Sequence, residues 1–88
     1  MRSSDSLLEF PCDFPLKVMG LAAADFDALV RDIVGRHVAG LAPDAVRVTP
    51  SRQGKYVSLT VTVRADSQAQ LDALYTELSA HERVLMVL

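Results

Sequence analysis

The chain has 88 residues, half of them hydrophobic, with 9 basic and 11 acidic residues, a formal charge of −2 and one cysteine. That length and composition fit one domain with a real apolar core. They exclude an internal disulfide framework, give no long-range attraction for nucleic acid or an anionic membrane, and contain no run near the ~18 apolar residues of a membrane span.

The N-terminal residues Met1 to Ser6 are polar, and the apolar stretch from Leu7 to Cys12 is short and broken by Glu9 and Pro11, so it does not read as an export signal. Residues 1–12 are expected to form a partly flexible segment with an apolar clasp at Leu7 to Phe10, and residues 13–88 a single domain. With one cysteine and no export signal, the expected compartment is the reducing cytoplasm.

From Phe14 to Gly20, Leu16 and Val18 alternate with Lys17 and Met19, which predicts a first strand. Ala24 to His37 carries Phe26, Leu29, Val30, Ile33 and Val34 at helical spacing, with Asp25 and Asp27 near the positive end and Arg36 near the negative one. Gly35 predicts a weak last turn. After a loop at Gly40 to Asp44, Val46 and Val48 alternate with Arg47 and Thr49 up to Pro50, whose missing N–H suits a strand at a sheet edge.

Ser51 to Lys55 has the length and the glycine of a hairpin loop, with Gly54 expected at positive φ. Val57, Leu59, Val61 and Val63 then alternate strictly with Ser58, Thr60, Thr62 and Arg64 in a third strand. Ser67 to Gln70 fits a capping box, in which the Ser67 hydroxyl accepts from the Gln70 N–H and the Gln70 side chain reaches back to the Ser67 N–H. Leu71, Leu74, Tyr75 and Leu78 mark the buried stripe of a second helix, and Arg83 to Leu88 is too short for a helix and reads as a closing strand.

Two β-α-β halves joined by a hairpin make an α+β ferredoxin-like sandwich of β-α-β-β-α-β order, its antiparallel sheet ordered 4-1-3-2 with both helices on one face. Leu16, Val18, Val46, Val48, Val57, Leu59, Val61 and Val63 are expected beneath the helices. Lys17, Met19, Arg47, Thr49, Ser58, Thr60 and Thr62 are expected on the opposite, open face.

No constellation for catalysis is visible. His37 and His81 fall near helix C-termini, where a cation suits the dipole, Cys12 has no adjacent base, and Asp25, Asp27, Asp32 and Glu77 suit solvated helix faces. No phosphate loop, dinucleotide fingerprint or metal-binding helix occurs, so neither cofactor nor metal is expected. An RNA-recognition module shares this element order, but beyond Gly54-Lys55-Tyr56 the third strand offers Ser58, Thr60 and Thr62 in place of stacking aromatics. The candidate ligand or interface residues are Lys17, Met19 and Gly20, where a glycine permits close approach, Gly54, Tyr56 and Ser58 around the hairpin, and Met86 on an edge strand with no proline or lysine to blunt it.

Phe10-Pro11, Phe14, Lys17-Val18-Met19-Gly20, Arg36-His37, Ser51, Gly54, Tyr56, Ser58, Tyr75, Glu77-Leu78 and the terminal Met86-Val87-Leu88 together resemble the YbeD-like family of small bacterial proteins of unknown function. The resemblance covers nearly the whole chain from Leu7 on. It implies a ferredoxin-like fold similar to the ACT regulatory domains, with no established activity, and an association with lipoate metabolism through gene neighbourhood. The expected function is a non-enzymatic regulatory or interaction module that pairs with itself or another protein, with room for a small-molecule ligand and none foreseen for nucleic acid or membrane. An accessory role in lipoate or acyl-group metabolism is the alternative.

Overall fold

The computed structural model describes residues 9–88. Leu7, Leu8 and the polar tip before them therefore lie outside the described residues, and of the expected clasp Glu9 and Phe10 are seen, Phe10 resting partly buried against the core. The elements are β1 (Cys12–Leu21), α1 (Phe26–His37), β2 (Val46–Pro50), β3 (Tyr56–Ala65), α2 (Gln68–Ala80) and β4 (Val84–Val87). They form one antiparallel sheet in the order β2-β3-β1-β4, the expected ferredoxin-like arrangement.

Alternation decides which face each strand residue takes. Leu16 and Val18 of β1 and Leu59, Val61 and Val63 of β3 are fully or almost fully buried, and they meet Phe26, Val30, Ile33 and Val34 of α1 and Leu71, Leu74 and Leu78 of α2. Both helices therefore cover the same side of the sheet. Each of these large side chains is worth about 1.5–3 kcal/mol on burial, and no polar side chain is buried among the described residues.

Several expectations need correction. Val48, expected beneath the helices, is 48% exposed, and Val46 is only half-buried. Both point to the helix side by register, opposite Leu59 and Val61, yet β2 is an edge strand and gains little cover there. β1 begins at Cys12, two residues before the expected Phe14, because β3 is long enough to pair it from Cys12↔Ala65 to Leu21↔Tyr56. The loop before β2 contains a 3-10 turn, Pro43–Ala45, with Pro43 at its start where a missing N–H costs nothing.

The capping box forms by half. Ser67 Oγ accepts from the Gln70 N–H at 3.1 Å, but Gln70 Oε1 accepts from the N–H of Asp66, one residue earlier than expected, while Gln70 Nε2 donates to the His37 carbonyl. The side chain thereby links α2 to the end of α1. Gly35 does not loosen α1, which runs on to His37 and closes with Val38 N–H donating to the Val34 carbonyl at 2.9 Å.

The hairpin is held by Ser51. Its carbonyl accepts from the Gly54 N–H, its N–H donates to the Tyr56 carbonyl, and its hydroxyl accepts from the Tyr56 N–H. Gly54 has φ +74°, as the loop length requires, and no atom lies within 4 Å of where a Cβ would stand. Gly54→Ala is therefore expected to cost about 1 kcal/mol from backbone strain alone. Urea melts check this, and an unchanged midpoint would mean that the loop adapts without strain.

Candidate functional site

β1 lies in the interior of the sheet, so its outward residues gather partners from both sides. The pairs Met19↔Met86, Met19↔Ser58 and Ser58↔Thr49 align Met86, Met19, Ser58 and Thr49 in one row across all four strands. The next row holds Leu88, Lys17, Thr60 and Arg47, with Lys17 and Leu88 exchanging backbone hydrogen bonds at 3.0 and 2.8 Å. Leu21 opposite Tyr56 adds a short third row. Five of the candidates, Lys17, Met19, Tyr56, Ser58 and Met86, thus share the open face.

Gly20 and Gly54 do not join them. Gly20 lies one residue beyond Met19 and so faces the helices, where it is buried. It does permit a close approach, but by its own chain: a Cβ there would stand 2.6 Å from the Arg83 carbonyl oxygen and 2.6 Å from Phe26 Cζ. Gly54 shapes the hairpin beside the face without lining it.

The face contains a shallow groove of about 240 Å³ between Met19, Thr49, Pro50, Ser51, Tyr56, Val57 and Ser58. Lys55 Nζ stands 5.6 Å from the centre of the Tyr56 ring, within cation–π range. Beside the groove, Met86 is 49% exposed, and Leu88, Leu85 and Leu21 are more so. Such a surface can receive an apolar side chain or a short acyl chain. Among the described residues that line it, the groove holds no acid and base pair with which to do chemistry.

β4 differs from a simple edge. The pairing steps from Met19↔Met86 to Gly20↔Val84, so Leu85 is an extra residue without a partner on β1 and turns outward. Because Leu88 and Lys17 form a hydrogen-bonded pair, alternation directs the Val87 backbone groups to the free edge.

The helices carry a polar cluster that sequence reasoning missed. His37 Nε2 lies 2.6 Å from Glu77 Oε1, Arg36 Nη2 donates to Glu77 Oε2, and Arg36 Nη1 donates to Asp32 at 2.5 Å. The sequence pattern suits Glu77 to a solvated helix face, whereas in the structure it joins α2 to the last turn of α1. The adjacent Arg36-His37 was the available signal, but only packing of the helices supplies Glu77. Asp25 is solvent-exposed, as expected, and Arg83, just before β4, donates to both its oxygens, at 2.7 and 3.0 Å.

Hydrogen bonds from Arg36, and then from His37, hold the Glu77 carboxyl below the usual glutamate range. A depressed carboxyl contributes stability that is present above its unfolded pKa and is lost as pH falls through its folded pKa. Glu77→Gln is expected to lower the urea midpoint at about pH 6, with the deficit shrinking as pH falls below about 4. A deficit independent of pH would assign the loss to packing.

Among the described residues, no group of three or more His, Cys, Asp or Glu side chains is placed to hold a metal ion, and no helix is long and apolar enough to cross a membrane. Fold and site together define a small ferredoxin-like α+β domain with one sheet face that no element covers among the described residues.

This chain belongs to the family described as Protein of unknown function (DUF493), whose model matches residues 5–88. It is 48% identical over 85 residues to a UPF0250 protein of Janthinobacterium sp. (strain Marseille), covering 97% of this chain and 93% of that one. A UPF0250 protein of Neisseria meningitidis serogroup B is 41% identical over 87 residues, covering 99% and 96% of the two chains. The solution structure of Protein HP0495 from H. pylori superposes with a TM-score of 0.74 at 15% identity, covering all of this chain and 96% of that one, and so shares the fold.

Proposed function

We propose that the protein is a non-enzymatic interaction module of regulatory type, which docks a partner chain on the open sheet face and the adjoining edge of β4. The observation that carries this reading is the row of Met86 and Met19, flanked by exposed Leu85 and Leu88, on a face that no element of the chain covers among the described residues. Methionine side chains adapt to different partners, and an apolar strip bordered by polar residues is the usual anatomy of a docking surface.

The expected result is that the protein migrates in native cell extract as a complex well above its 9.6 kDa. Met86→Lys should return it to the monomer position with its helical circular dichroism intact. A wild-type protein that stays monomeric in extract would overturn the reading.

A second reading, an accessory role in acyl-group or lipoate metabolism, draws on the apolar groove beside Tyr56 with the Lys55 ammonium at its rim. It calls for a thermal shift with short acyl carboxylates that Tyr56→Ala abolishes. An acyl compound that raises the melting temperature of both forms equally would bind elsewhere.

A further inference from the structure

We infer that the occupant of the open sheet face is an acidic amphipathic segment of another protein, its apolar side chains on Met19, Met86 and Tyr56 and its carboxylates on Lys17 and Arg47. This deepens the docking reading above and rests on it.

Charge is distributed unevenly between the two sides of the molecule. The chain as a whole is slightly acidic, at −2. On the helix side, each arginine of the described residues is engaged: Arg31 with Asp27, Arg36 with Asp32 and Glu77, Arg83 with Asp25. On the open face, the strand residues contribute Lys17, Arg47 and Arg64 and one carboxylate, Asp13, which Arg64 holds at 3.3 Å. The hairpin beside it adds Arg52 and Lys55. Among the described residues, Lys17, Arg47, Arg52 and Lys55 have no carboxylate within ion-pair distance, and the two of these that the strands carry, Lys17 and Arg47, both lie on the open face.

The cations flank the apolar row in a fixed geometry. Lys17 and Arg47 sit on either side of Thr60 in a single row, so two interstrand spacings, about 9.5 Å, separate their Cα atoms. A helix laid across the strands presents residues seven apart at about 10.5 Å, which sets two carboxylates over these two cations. The Met86 and Met19 row runs parallel to it, about 7 Å further along the strands, where the apolar stripe of the same helix falls.

The same charges disfavour other occupants. A second copy docked face to face would bring Lys17 and Arg47 against like charges and an apolar strip, and the one carboxylate that the described strands offer there, Asp13, is already held by Arg64. Nucleic acid would gain from the cations, but it needs stacking platforms, and Tyr56 is the aromatic that the strands present on this face; Met19 and Met86 stand where stacking rings would be required. Charge complementarity together with a methionine strip fits an acidic, apolar peptide.

The test places a photo-crosslinking amino acid at Ser58, which lies in the row of Met86 and Met19 and diagonal to both Lys17 and Arg47, in the full chain in its native cells, and identifies the cross-linked segment by mass spectrometry. The expected product is a protein segment carrying apolar residues at helical spacing and at least two carboxylates seven apart. The Lys17→Glu, Arg47→Glu double variant should reduce its yield at least about tenfold, while Arg36→Glu on the helix side should not. A synthetic peptide of the captured segment should bind the purified protein, and its affinity should fall as salt rises.

Cross-linking to a non-acidic protein segment, or to a second copy of the chain, would overturn this inference and leave the docking reading standing. Cross-linking to nucleic acid or lipid would overturn both, as would no product at all from a folded protein.

Discussion

Phe26→Ala is expected to cost about 3–5 kcal/mol, a large part of the roughly 5–15 kcal/mol that holds a domain together. Phe26 opens α1, is 1% exposed, and is one of the largest fully buried side chains in the core. Its ring lies where α1, β1 and the start of β4 converge, with Cζ and Cε1 over Gly20 and the Arg83 carbonyl close by. Truncation leaves a cavity that the rigid strands on two sides cannot close. The measurement is a urea unfolding curve: the midpoint should fall sharply with an unchanged slope. A loss under about 1 kcal/mol would mean that the ring is not wedged as described, since even smaller core side chains cut back to Ala cost about 2–5 kcal/mol.

Gly20→Ala, the smallest possible addition, is expected to destabilise by about 1–3 kcal/mol through overpacking. An added Cβ would stand 2.6 Å from the Arg83 carbonyl oxygen and 2.6 and 2.7 Å from Phe26 Cζ and Cε1. The ring could move aside, but the carbonyl belongs to the backbone and can yield only by displacing the bulge where β4 joins β1. Placing Gly20→Ala in a Phe26→Leu background should therefore reduce its cost without abolishing it. The coupling energy from that double-mutant cycle checks the contact directly. Strict additivity would show that Phe26 and Gly20 do not share the space.

Gly20 also shows where reasoning from a sequence stops. A glycine after a strand is open to several readings: a turn, a ligand approach, a packing point. Only the aromatic ring brought back by the β1 to α1 connection, and the carbonyl brought by the end of the chain, make it the last of these. Gly54 is the opposite case, because its positive φ follows from the length of the loop between two strands that are themselves plain in the sequence.

The amino-acid sequence by itself determined the element order, the two-sided alternation of β3, the Ser67 cap and the Gly54 turn, because each depends on backbone geometry over a few neighbouring residues. It also determined which side chains the first three strands would turn outward. Tertiary structure alone decided that Met86 lies beside Met19, that Lys17 and Arg47 fall in one row, and that Leu85 is expelled by a bulge, since these depend on the register between distant segments. It likewise decided that Glu77 meets Arg36 and His37, and that Val48 stays exposed at an edge that correct alternation had assigned to the core. A periodic pattern states which way a side chain points; only the packed neighbours decide what, if anything, it meets.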